Sequence, residues 1–164
     1  MNLWDDSVEL TQTVFAPLED NFGFRRLPPK HPFVVYESAS LQASIYYEPD
    51  RHGELDVGVR RMADVGTHKP SRGISLLIAI HDPAAWDAYS SSYPKDRKSL
   101  ESSLLAMKEQ LLKYGASLLS GDMGDLDKLD RLEKQVEIEL GKSGRKADYK
   151  DTVRQVILRF HGNG

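Results

Sequence analysis

The residues of this chain that could do chemistry are few, and their spacing decides what each can do. Histidine serves as an acid, a base or a metal ligand near neutral pH, and there are five: His31, His52, His68, His81 and His161. None pairs at the i, i+4 spacing that puts two imidazoles on one helix face, so no metal site is assigned. His81-Asp82 is the best lone acid–base candidate, although Asp82-Pro83 equally well opens a helix. Asp122, Asp125, Asp127 and Asp130 straddle Leu126 and Leu129 and lack the order of a calcium loop, which favours capping and a solvated helix face. Gly141-Lys142-Ser143 ends like a phosphate loop, but Val136 stands where that motif needs its first glycine. The chain has neither a Gly-x-Ser-x-Gly elbow nor a Gly-x-Gly-x-x-Gly run. It has no cysteine, hence no thiol nucleophile or disulfide. No catalytic residue and no cofactor is assigned.

The elements that must position these residues follow from hydrophobic period. Val8, Phe15, Leu18 and Phe22 predict a helix over 7–20, started by Asp6 and Glu9 as a capping box and kinked or ended near Phe15 by Pro17. Pro28, Pro29 and Pro32 impose an extended connector. The period then becomes two. Phe33–Tyr36 makes a short strand, and 41–47 and 55–59 alternate apolar and polar across a turn-rich loop, as a hairpin does. Ile74, Leu76, Ile78 and Ile80 predict a fourth strand after a loop over 63–73.

From Pro83 onward the period is helical. A short helix is expected over 83–90, a long one over 98–120 whose leucine stripe contains Gly115, a mark of close packing or of a break, a third over 125–140 ended by Gly141, and a last over 148–160. On the last helix Tyr149, Val153, Val156 and Phe160 share one face. The expected architecture is a single α+β domain over residues 1–164. In it a four-stranded antiparallel meander sheet (about 33–80) has one face covered by an N-terminal helix and three to four C-terminal helices, in two layers.

Composition bounds the function. The 164 residues carry 22 basic and 25 acidic side chains, a net charge of −3, which argues against a general nucleic-acid binder. Residues 1–50 hold eight acids against three bases, an acidic stretch able to steer a basic partner. The basic cluster Lys142, Arg145, Lys146 and Lys150 has only Tyr149 as a stacking residue and reads as a solvated loop. No signal segment and no apolar run of membrane-spanning length is seen, which places the chain in the cytoplasm. On the wet face of the hairpin, Tyr46, Glu48, Glu54, Asp56 and Arg60 form either a recognition surface or a set of cross-strand packing pairs.

Val35-Tyr36-Glu37-Ser38, Ile45-Tyr46-Tyr47-Glu48-Pro49-Asp50, Glu54-Leu55-Asp56-Val57 and the helix end Leu111–Asp122, followed by Leu126 and Leu129, carry a resemblance. Over about residues 33–130 the chain resembles small bacterial α+β proteins of unassigned function, some similar to immunity proteins of polymorphic toxin systems. That resemblance implies a non-enzymatic, cytoplasmic protein-binding protein that occludes a basic toxin or other partner. It transfers no catalytic residue. One alternative is a small-ligand binder or enzyme with a pocket between sheet and helices, lined by His81, Asp82, Trp86 and Tyr93. Another is a homo-oligomeric structural protein with Ile74–Ile80 or the leucine stripe as its interface.

Overall fold

The computed structural model describes residues 2–143 and 148–162. Helix α1 (Leu3–Val14) begins earlier than its sequence signal, because Asn2 rather than Asp6 is the cap: its Oδ1 accepts from the Asp5 amide at 2.9 Å. Asp6 and Glu9 instead reach the Arg97 guanidinium. Ser7, Leu10, Thr11 and Val14 form the buried stripe. The helix breaks at Phe15, as Pro17 requires, and α2 (Ala16–Phe22) follows, closed by Gly23 at φ 69°.

The sheet is antiparallel and five-stranded, in the order β1-β2-β3-β4-β5. Its strands are β1 (Arg25–Arg26), β2 (Phe33–Glu37), β3 (Leu41–Tyr47), β4 (Leu55–Arg61) and β5 (Arg72–Gly73). The three central strands match the expected alternation. Val34 and Tyr36, Leu41, Ala43, Ile45 and Tyr47, and Leu55, Val57 and Val59 all point into the core. The two edge strands have no period to announce them, being two residues long, and exist only because β2 and β4 offer them a partner.

The expected fourth strand is a helix. Residues Ile74–His81 form α3, with Gly73 as its cap, so the meander over 33–80 ends at Arg61 and the sheet gains its other two strands from short edges. A run that is apolar at nearly every position carries no usable period, and tertiary burial decides its form. Ile74, Leu77 and Ile78 are buried at helical spacing, and Leu76 and Ile80 also pack on the core. The helix is thus enclosed on most sides.

Pro83 starts α4 (Pro83–Asp87), with Asp82 accepting from the Ala85 amide at 3.0 Å. Helix α5 (Arg97–Tyr114) is capped by Asp96 with Ser99 in a reciprocal box, and buries Leu100, Leu104, Met107 and Leu111. Gly115 interrupts it before α6 (Ala116–Leu119), because a Cβ there would lie 2.7 Å from the Leu111 carbonyl oxygen. Helix α7 (Gly124–Ser143) runs through Gly141 rather than stopping there, and α8 (Tyr149–Gly162) closes the fold. On α8, Val153 and Val156 are buried while Tyr149 and Phe160 at its ends are exposed. All these helices bury apolar residues in one core with the inner face of the sheet. Two arginines on the sheet tie α7 down: Arg61 binds Asp127 and Asp130, and Arg72 binds Asp130 and Glu133.

Candidate binding surface

The outward positions of β2, β3 and β4 fall into three cross-strand rows. Phe33, Tyr46 and Asp56 form the first, Val35, Ser44 and Gly58 the second, and Glu37, Gln42 and Arg60 the third. In the first row the Phe33 and Tyr46 rings lie 5.4 Å apart, a tilted aromatic pair. The Tyr46 hydroxyl donates to Glu48 Oε2 at 2.6 Å, which pushes the phenol pKa up. Asp56 takes an amide hydrogen bond from Val57 at 2.8 Å. Burial nevertheless pushes its carboxyl up to about 6, and the nearby Glu54 adds to the rise. Among the described residues, Glu48, Glu54 and Asp56 have no ion-pair partner, whereas Glu19, Glu37, Glu133 and Glu139 each have an arginine.

The third row is a relay of side-chain hydrogen bonds. Gln42 Nε2 donates to Glu37 Oε1 at 2.9 Å, and Arg60 Nε donates to Gln42 Oε1 at 2.7 Å. The middle row is made of small residues at Ser44 and Gly58, so it lies low between its neighbours. Gly58 is required there, since a Cβ would sit 2.9 Å from Ser71 Cβ and 3.4 Å from Ser44 Oγ. The 27–32 connector rises along one side and Ser71 along the other, leaving a cavity of about 500 Å³ over this row.

Of the hairpin residues singled out from the sequence, Tyr46, Glu48, Glu54 and Asp56 come together around the first row, while Arg60 lies two rows away. All are half-buried rather than fully wet. Phe33, Gln42, Ser44 and Ser71 were not singled out. The clue to Phe33 was its place opposite Tyr46, which needs the register. For Ser44 and Gly58 it was two small residues on outward positions of adjacent strands.

The second set of candidates is dispersed. His81 Nε2 lies 2.7 Å from Asp125 Oδ2, a buried carboxylate that Lys128 also approaches at 3.5 Å, and this contact ties α3 to α7. Asp82 accepts from the Ala85 amide, which holds its carboxyl below the usual range, and from the Tyr114 hydroxyl at 3.2 Å. Trp86 is buried in the core, with the Lys150 ammonium 5.8 Å from its ring, and Tyr93 is exposed. A cavity of about 500 Å³ does lie between α3–α4 and α5, bordered by Tyr89, Met107 and Tyr114. Its described lining includes none of His81, Asp82, Trp86 and Tyr93.

The aspartate run serves structure: Asp122 accepts from the Gly124 amide at 2.9 Å, Asp125 holds His81, and Asp127 and Asp130 hold Arg61. Among the described residues no three His, Asp or Glu side chains converge as metal ligands. Of the basic cluster, Arg145 and Lys146 lie outside the described residues. No described helix is long and apolar enough to cross a membrane. Comparison with protein-family models, with curated proteins and with solved structures finds no significant match.

Proposed function

We propose that this chain is a non-enzymatic, cytoplasmic protein-binding protein of the immunity type, and that it engages a basic partner through the outer face of its sheet, in a two-layer architecture whose helices occupy the opposite face. One observation carries the reading. An aromatic pair, Phe33 with Tyr46, stands on the sheet face that the helices leave uncovered, beside three carboxylates with no ion-pair partner among the described residues. Aromatic anchors rimmed by charge are the usual composition of a protein interface core. A half-buried, unpaired carboxylate such as Asp56 costs stability in the free protein, and a cation from a partner would offset that cost. Glu48 and Glu54 at the hairpin end would accelerate encounter with a basic surface, and the docked sheet would cover the partner's working groups.

The test is the product of the adjacent reading frame. Co-expressed with this chain, it is expected to co-purify, with an association rate that falls steeply as salt rises from low to physiological. Changing Glu48 and Glu54 together to Gln should slow association roughly tenfold and leave dissociation nearly unaltered, whereas Phe33→Ala should speed dissociation. A gene standing among metabolic genes, whose neighbours' products do not bind, would sink the reading.

A further inference from the structure

The cavity on the sheet's middle row adjoins the proposed docking face and shares Phe33 with it, but its polar side is built from other residues. Ser44 forms its floor, and Ser71 closes on the sheet beside it because the neighbouring Gly58 has no side chain. Arg60 lines it, half-buried and held in place by its Nε bond to the buried Gln42. Among the described residues no carboxylate lies within ion-pair distance of Arg60 or of Lys30, which stands at the cavity's mouth. Arg25, Arg26, Arg61, Arg72, Arg97, Arg154 and Arg159 have acidic partners, and Arg51 and Arg131, which like Arg60 have none among the described residues, are exposed. His31 lines the cavity beside Lys30, its ring set edge-on to Trp4 at 4.7 Å. The opposite wall is apolar, from Leu27, Pro32, Phe33 and Val35.

A half-buried arginine whose Nη groups donate to no protein acceptor among the described residues, with two serines lining the same hollow and an apolar wall opposite, is one half of a recognisable exchange. The other half is an oxyanion on an apolar body. Arginine's planar fork suits a carboxylate or phosphate, and the volume is that of ordinary small-molecule sites. We infer that this cavity binds a small organic anion, a carboxylate or phosphate monoester carried on an aromatic or aliphatic body, with the oxyanion at Arg60, Ser44 and Ser71 and the body against Leu27, Pro32 and Phe33.

Titration of the whole chain with 3-phenylpropionate, phenyl phosphate and the neutral 3-phenylpropionamide tests this, read by calorimetry and by backbone amide shifts. One or both anions should saturate, moving the amides of 42–44, 58–60 and 71. The amide analogue should bind roughly tenfold more weakly or not at all. Arg60→Gln should weaken anion binding at least roughly tenfold, and Lys30→Gln, at an exposed position where misfolding is not a concern, should weaken it less. Equal affinity for acid and amide, unchanged affinity in either a folded R60Q or in K30Q, or no saturation below about 10 mM would overturn the inference. Absence of partner binding with anion binding intact would refute only the protein-binding reading.

Discussion

At the scale of single residues, the costs in this fold are carried by a few polar groups that the core did not satisfy. Asp56 is one. Its folded pKa of about 6 stands above its ordinary value of 3.8, so between those values the folded protein holds the proton that the unfolded chain releases. Stability from this group is therefore full below about pH 4, declines through pH 4–6, and is lowest above pH 6. Asp56→Asn should raise unfolding stability by about 1–2 kcal/mol at pH 7, after allowance for partial exposure, with the gain vanishing near pH 4. Denaturant melts at the two pH values measure it. Thr11 is the other. Its Oγ1 is buried and has no hydrogen-bond partner among the described residues, while its carbonyl accepts from the Tyr36 hydroxyl at 3.4 Å. Thr11→Val keeps the shape and the carbonyl, and should stabilise by about 1 kcal/mol in the same melts.

At the scale of elements, two glycines with similar sequence signals do opposite things. Both Gly115 and Gly141 fall where a leucine-rich helix was expected to pause. Gly115 does break its helix, and a Cβ there would meet the Leu111 carbonyl oxygen at 2.7 Å and Leu111 Cδ1 at 3.0 Å. Gly141 lies inside α7 with nothing within 4 Å. Gly115→Ala should therefore destabilise by about 1–3 kcal/mol, and Gly141→Ala should stabilise by up to about 1 kcal/mol. Thermal unfolding of the pair reads the contrast directly, and equal shifts would contradict it. The Ile74–His81 helix makes the same point more sharply. Alternation was legible wherever one strand face was polar, as at Gln42, Ser44 and Tyr46, and it failed where nearly every position was apolar, because an enclosed helix and an enclosed strand look alike.

At the scale of the whole molecule, the sheet and α7 are joined by a charge network that no local pattern announces. Asp130 sits between Arg61 at 3.0 Å and Arg72 at 3.2 Å, and Glu133 lies 2.8 Å from Arg72. Arg61 and Arg72 are largely shielded, so losing their shared partner leaves two cations poorly matched. Asp130→Asn should cost about 1–2 kcal/mol. A double-mutant cycle of Arg72 and Glu133 should give a coupling of about 0.5–1.5 kcal/mol that weakens with salt. A coupling of zero would mean that the Arg72–Glu133 pair adds nothing to the burial of Leu126, Leu129 and Leu132 in holding the helix.

The amino-acid order by itself determined the α+β class, the β2–β3–β4 pairing and the helical second half, because each rests on a local period or on a break such as the one Pro17 imposes. It also brought forward Tyr46, Glu48, Glu54 and Asp56, which share one hairpin. Only tertiary structure decided that Ile74–His81 coils, that Arg25–Arg26 and Arg72–Gly73 extend the sheet, and that Arg60 faces a hollow between Ser44, Ser71 and the 27–32 connector. Those outcomes depend on what lies across from a residue, at separations where periodicity carries no information and burial chooses the partner.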